Sequence, residues 1–168
     1  MTAVIRTMTP RDGTALHTLW ERSVRATHTF LSEEDIAFYS PMVRDMFAQI
    51  TETAESAESA ETPPETPPAI FVAHEENGPP LGFMVLDSAA TPAKLEALFI
   101  DPAHARKGIG TLFVEYAITL HPRIALDVNE QNPGARAFYA RLGFRETGRS
   151  PLDGAGKPFP LIHMVFAR

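Results

Sequence analysis

A chain of 168 residues suits one domain, since a single hydrophobic core commonly serves about 100 to 200 residues. Its 44% apolar content excludes disorder along the whole length, the absence of cysteine excludes disulfides, thiolate metal sites and a cysteine nucleophile, and no run nears the roughly 18 apolar residues of a membrane helix. The net charge of -6 is local: segment 51–68 holds five glutamates and no base, and removing them from the chain's 21 acids leaves 16 against 15 bases, which excludes the basic footprint of a nucleic-acid binder.

Ala3 to Thr7 reads as a first strand. Pro10 to about Arg25 reads as a helix, with Ala15, Leu16, Leu19, Trp20 and Val24 at helical spacing on its core face. A second helix starts near Ser32, which forms a capping box with Asp35 ahead of Ile36, Phe38 and Tyr39. Pro41 is expected to kink or divide it. The acidic insert at about 51–68 repeats Glu-Ser/Thr-Ala and closes with Pro63, Pro64, Pro67 and Pro68; it cannot bury apolar area and reads as a solvated linker or frayed helix extension.

Apolar runs at Ile70 to Ala73, Leu81 to Leu86 and Leu95 to Ile100 then read as a meander, the first two separated by Asn77, Gly78, Pro79 and Pro80. Next come a helical stretch from Gly108 to about His121, a strand from Ile124 to Val128, a helix from Gly134 to Leu142, and strands near Phe144 to Arg149 and Leu161 to Ala167. The order is α+β around a mixed sheet. The strand–helix–strand unit from Leu95 to Val128 is a crossover, so its two strands should be parallel neighbours or nearly so. The N-terminus, MTAVIRTMTP, lacks an apolar signal core, which gives a cytoplasmic expectation.

The block LEALFIDPAHARKGIGTLFVEYA carries the first chemical signal: a strand ending at Asp101-Pro102, then ARKGIG at the head of a helix. Free N–H groups and the positive end of the helix dipole face one point there, Gly108 and Gly110 let a pyrophosphate approach the backbone, and Arg106 and Lys107 add charge. Paired glycines also serve helix packing. A P-loop would need Gly-Lys-Ser/Thr after its gap, and no such run exists. The dinucleotide fingerprint would need a third glycine where Phe113 stands, although Asp127 falls at a tolerable distance for a ribose contact.

One crossover later stands ALDVNEQNPGARAFYARLGF. ARKGIG followed at these spacings by Asn132, Ala135, Phe138, Tyr139, Gly143 and Phe144 resembles the GCN5-related N-acetyltransferase (GNAT) superfamily over most of the chain. ATHTFLSEE, ALFIDP, NEQN and TGRSPLDGAGKPFPL are similar to an enterobacterial branch of it assigned to peptidyl-lysine acetylation. The resemblance implies a single acyl-CoA N-acyltransferase domain over 1–168. Its fold would be a mixed, mostly antiparallel sheet of about seven strands flanked by about four helices, splayed between two parallel central strands. It implies acetyl-CoA as co-substrate, an amine acceptor that is a protein lysine or a small molecule, and direct attack without a covalent enzyme intermediate. The superfamily often dimerises, which leaves a homodimer open. The expectation includes neither nucleic acid nor membrane as a partner.

By the same resemblance, main-chain groups of Leu98, Phe99 and Ile100 would hold the pantetheine arm and polarise the thioester carbonyl. The amides of Arg106, Lys107, Gly108, Ile109, Gly110 and Thr111 would hold the diphosphate, and Asn132 would contact the coenzyme across the split. Ala105 departs from the pattern, which has Gln or Arg there in many members. Tyr139 matches the residue that protonates the departing thiolate: a phenol of pKa about 10 can donate to a thiolate whose acid has pKa about 8.5. The alternative for Tyr139 is a core aromatic beside Phe138.

An acceptor amine near pKa 10.4 costs about 4.6 kcal/mol to present deprotonated at pH 7, so a carboxylate or water chain must take its proton. Glu96 and Asp127 interrupt strands that read as buried, and burial would raise both toward a useful range. The alternative is a carboxylate paired with Lys or Arg. Asp127 also falls where some members carry a glutamate base. His28 and His163 could line the acceptor pocket or act as bases, and acceptor contacts are expected from 26–32, including Phe30 and Leu31, and from the loop 150–160, including Asp153. His74, His104 and His121 lack metal-ligand spacing, so no metal is expected. The rival function is a non-catalytic acyl-CoA-binding interaction module, which would have no need of an acid at Tyr139.

Overall fold

A computed structural model of the chain describes residues 3–56, 67–76 and 78–168. In chain order the elements are β1 (Val4–Thr7), a 3-10 turn Pro10–Asp12, α1 (Gly13–Thr27), α2 (Glu33–Ser56), β2 (Ala69–His74), β3 (Pro80–Asp87), β4 (Ala93–Ile100), a 3-10 turn Pro102–His104, α3 (Ile109–Leu120), β5 (Arg123–Asn129), α4 (Pro133–Arg141), β6 (Arg145–Ser150) and β7 (Leu161–Ala167). Among the described residues seven strands form one sheet in the order β1-β2-β3-β4-β5-β7-β6, antiparallel except for the β4–β5 pair. No helix among them is long and apolar enough to cross a membrane. Most of the acidic insert, residues 57–66, lies outside the described residues; its first residues, to Ser56, continue α2.

Period-2 alternation sorts the strand residues onto two faces. Ile124, Leu126 and Val128 of β5 join Ile162 and Met164 of β7 in one core, which α3 and α4 cover with Phe113, Val114, Ala117 and Tyr139. The other core lies beneath α1 and α2, where Leu16, Leu19, Trp20, Val24, Ile36 and Phe47 meet Ile70, Val72, Phe83 and Val85. Residues of odd number on β5 and β7, Asp127 and His163 among them, are thereby turned to the α1–α2 side.

The helix starts follow the sequence closely. Ser32 and Asp35 exchange the reciprocal bonds of a capping box: Ser32 N–H donates to Asp35 at 3.0 Å and Asp35 N–H to the Ser32 hydroxyl at 3.1 Å. Pro41, however, does not divide the helix, since α2 runs unbroken across it. An interior proline costs about 3 kcal/mol, while burying Ile36 and Phe47, each 3% exposed, returns about 1.5 to 3 kcal/mol apiece, so packing outweighs the break. Phe47 meets Phe83 edge-on at 5.2 Å between centroids.

β4 and β5 pair only where Ala93–Leu95 faces Ile124–Leu126. β4 continues to Ile100 and β5 to Asn129 without further pairing between them. The cause is local: the register of β3 against β4 slips between Val85/Leu86, opposite Ala97 and Leu95, so Glu96 is the extra residue of a bulge. A bulge bends its strand and increases its twist. Here it stands directly after the last residue paired with β5.

Candidate active site

The turn after β4 is built on Asp101. Its carboxylate accepts from Ala103 N–H at 2.9 Å and pairs with Arg22 of α1 at 2.7 Å, which anchors the chain as it leaves the sheet. Arg106 (φ 63°) and Gly108 (φ 84°) then adopt the left-handed conformation, the second at no steric cost and with nothing within 4 Å of the place a Cβ would take. Among the described residues no internal hydrogen bond uses the amides from Arg106 to Thr111; the first to do so is Leu112, which donates to Gly108. Six free N–H groups thus surround the positive end of α3, an arrangement that suits an anion of several oxygens. Arg106 and Lys107 are exposed beside it.

Gly110 also serves the helix packing that paired glycines allow. A Cβ there would lie 3.1 Å from Phe138 Cζ, so its smallness lets α3 approach α4. Ile109 is 3% exposed and anchors the same helix in the core. Leu98, Phe99 and Ile100 lie on the part of β4 beyond its pairing with β5, where the edge toward β5 is free for an extended ligand that carries amides.

On the α1–α2 face a cavity of about 360 Å³ opens beside this split. Trp20, Val24, His28, Phe30, Leu31, Tyr39, Phe99, Phe159 and Leu161 supply its apolar and aromatic wall; Lys94, Glu96, Asp127 and Asp153 supply its charge. The structure therefore brings His28, Phe30, Leu31, Glu96, Asp127 and Asp153 together. His28 stacks between Phe30 and Phe99 at 5.5 and 5.9 Å, and burial pushes its imidazole down to about 4, so it is neutral at pH 7.

Neither acid is buried in the way that its apolar neighbours suggested. Glu96 is exposed, because the bulge turns it to the open face. Asp127 is half-exposed; burial pushes its carboxyl up, but the hydrogen bond from His163 and the charge of Lys94 prevail and hold it below the usual range. Lys94 Nζ stands 3.4 Å from Glu96 and 3.2 Å from Asp127. Burial lowers that ammonium, and the two carboxylates outweigh it and hold it above the ordinary lysine value.

Behind Asp127 the polar chain continues. His163 faces it across the β5–β7 ladder and its Nδ1 lies 2.5 Å from the carboxylate, while its Nε2 lies 2.7 Å from the Ser150 hydroxyl. An ionised carboxylate only accepts, so Nδ1 carries the proton, and in the neutral ring Nε2 accepts from Ser150. The pairing of both acids with a lysine is the alternative that the sequence left open, whereas the bond from His163 to Asp127 is not legible there. Lys94 was overlooked altogether, although two residues from Glu96 on one strand is the spacing that puts side chains on one face.

Tyr139 is not among the residues that line this cavity. It is 7% exposed, on the opposite face of the sheet, between Phe138 and Phe144 at 5.0 and 5.5 Å. Burial alone raises its phenol, with no charged or hydrogen-bonding neighbour contributing. Asn132 caps α4 through its side-chain oxygen, which accepts from Ala135 N–H at 3.1 Å. The loop between β6 and β7 closes one wall of the cavity. The Tyr39 hydroxyl donates to Asp153, and Lys157 reaches Asp35 at 2.7 Å, which fastens the loop to the head of α2.

A family model described as the Acetyltransferase (GNAT) family matches residues 28–144. The chain is 39% identical over 162 residues to the peptidyl-lysine N-acetyltransferase YjaB of Salmonella typhimurium, covering 96% of this chain and 97% of that one. To the protein of the same name from Escherichia coli it is 37% identical over 166 residues, or 99% and 98% of the two chains. Among solved structures, the solution structure of apo-form YjaB from Escherichia coli superposes with a TM-score of 0.79 at 36% identity, covering 99% of this chain and 98% of that one. The PaiA N-acetyltransferase of Thermoplasma acidophilum, solved in complex with coenzyme A, shares the fold with a TM-score of 0.76 at 21% identity over 100% of both chains.

Proposed function

This chain belongs to the Acetyltransferase (GNAT) family, and from that premise we propose that it transfers acetyl from acetyl-CoA to the Nε amine of a protein lysine by direct attack. That it is an acetyltransferase, and not only an acyl-CoA-binding module, follows from the family and from its near-full-length relatives. The lysine acceptor rests on the names of those two relatives.

One observation carries the mechanism: β4 and β5 part beyond Leu95 and Leu126, with the acid-lined cavity beside this split on one face of the sheet and Tyr139 in the core of the other. The free amides of Arg106 to Thr111 suit the diphosphate of the donor, and the open edge of Leu98 to Ile100 suits its amide-bearing arm. When bound, the donor supplies an activated acyl group with a thiolate leaving group. The cavity admits the amine from the α1–α2 face, and Glu96 and Asp127 attract it as an ammonium. Its proton leaves toward Glu96, the carboxylate without a histidine bonded to it. Tyr139 gives its phenolic proton to the thiolate from the opposite face; an aromatic whose pKa is raised is a weak acid, but it remains protonated and ready to donate at every working pH.

Transfer to Nα-blocked lysine peptides, followed by thiol release and by mass spectrometry of the product, tests this reading. Tyr139→Phe keeps the buried ring and should lower kcat about 100-fold with the donor KM unchanged. Undiminished turnover in that variant would remove the acid assignment. Acetyl found only on small-molecule amines would overturn the lysine acceptor.

A further inference from the structure

The cavity holds a cation of the protein's own. Lys94 reaches into it from β4 and places Nζ within 3.4 Å of Glu96 and 3.2 Å of Asp127, the two carboxylates that an incoming ammonium would seek. The other charged and titratable groups that face this point are accounted for. Asp153 is engaged by the Tyr39 hydroxyl and by the amides of Ala155 and Lys157 at 2.9 and 2.8 Å. His163 stands behind Asp127, and His28 is held neutral between aromatic rings. Around Lys94, two carboxylates and one ammonium leave a local charge of one negative unit; Asp153 adds a third carboxylate on the loop wall, with both its oxygens already taken by donors of the protein.

We propose that Lys94 is a built-in occupant of one of two cation positions in the acceptor cavity, and that it sets the preference of this enzyme for a singly charged amine over a diamine. The proposal deepens the acceptor reading above and rests on it. A lysine side chain in a peptide brings one ammonium, which the remaining negative unit matches. A free diamine brings two, and the second meets Lys94, an apolar stretch of wall, or Asp153, whose oxygens are already bonded to Tyr39, Ala155 and Lys157, so it finds no free counter-ion beside the first and is costly to leave unpaired. Removing the Lys94 charge exposes both carboxylates. Because the Coulomb term is proportional to ligand charge, the gain for a dication should be about the square of that for a monocation.

Trp20 is the single tryptophan and lines the cavity, so its fluorescence reports amine binding without turnover. Titration with butylamine and with 1,4-diaminobutane is compared for the unmodified protein, Lys94→Met, Lys94→Gln and Lys94→Arg. Both neutral variants should bind the monoamine about threefold more tightly and the diamine about tenfold more tightly, as expected for a half-exposed ion pair, and Lys94→Arg should match the unmodified protein. Having two neutral side chains guards against one that fails to fold. A diamine gain no larger than the monoamine gain in the neutral variants would overturn the proposal, as would the absence of any response to either amine. Failure of the unmodified protein to acetylate lysine peptides would count against the acceptor reading and leave the ratio of binding gains to decide the role of Lys94.

Discussion

Asp12 shows how one side chain can join three pieces of backbone. It is 8% exposed, receives both guanidinium nitrogens of Arg6 at 2.7 and 2.8 Å, and accepts from the Thr9 amide and hydroxyl at 2.7 and 2.8 Å, tying β1 to the turn that starts α1. The Arg6 bond, opposed by burial and aided by Thr9, lowers its pKa to about 2. A carboxylate depressed in the folded state stabilises fully above its unfolded pKa and loses that contribution as pH falls through the folded value. The window is therefore about pH 4 to 2. Because Arg6 is 37% exposed, solvent screening reduces the contribution to about 1 to 2 kcal/mol. Urea midpoints should fall over that window in the unmodified protein, while Asp12→Asn starts lower at pH 7 and shows a shallower fall. Parallel pH profiles for the two proteins would contradict this.

The loop between β6 and β7 illustrates the same logic at the level of an element. Pro and Gly residues marked it as irregular, and the Ser32 capping box located the head of α2, yet nothing in either segment announces that they meet. The meeting depends on Tyr39 and Lys157, more than 100 residues from their partners Asp153 and Asp35. Asp153→Ala removes the acceptor for Tyr39 and for two loop amides, so the wall of the acceptor cavity should loosen. The acceptor KM should rise about tenfold while coenzyme A affinity stays within about twofold, measured by steady-state kinetics and calorimetry. Equal losses in both would point to general destabilisation. The bulge at Glu96 was illegible for a related reason: alternation predicts which face a residue takes, and a bulge is a place where alternation is broken by the partner strand.

At the scale of the molecule, the sheet is a partition with a gap in it. The crossover between β4 and β5 could be anticipated from the strand–helix–strand order, because parallel neighbours need a long connection. So could the turn with free amides, because ARKGIG after a strand puts glycines at the head of a helix, although paired glycines alone also serve packing. The sorting of Glu96 and Asp127 to one side and Tyr139 to the other was not anticipated, nor was Lys94 between the acids, because each depends on register across strands distant in sequence. Apolar neighbours suggested buried acids, but on a strand whose two faces differ they say only what the opposite face does.

The central claim is that the amides of Arg106 to Thr111, together with the unpaired β4 edge from Leu98 to Ile100, receive one ligand. Amide chemical-shift mapping by two-dimensional NMR, with coenzyme A titrated into the labelled protein, examines those groups themselves. The account predicts saturable shifts that are largest at these two stretches, with residues of the β1–β2 edge unmoved. The absence of binding, or shifts concentrated away from both stretches, would contradict it.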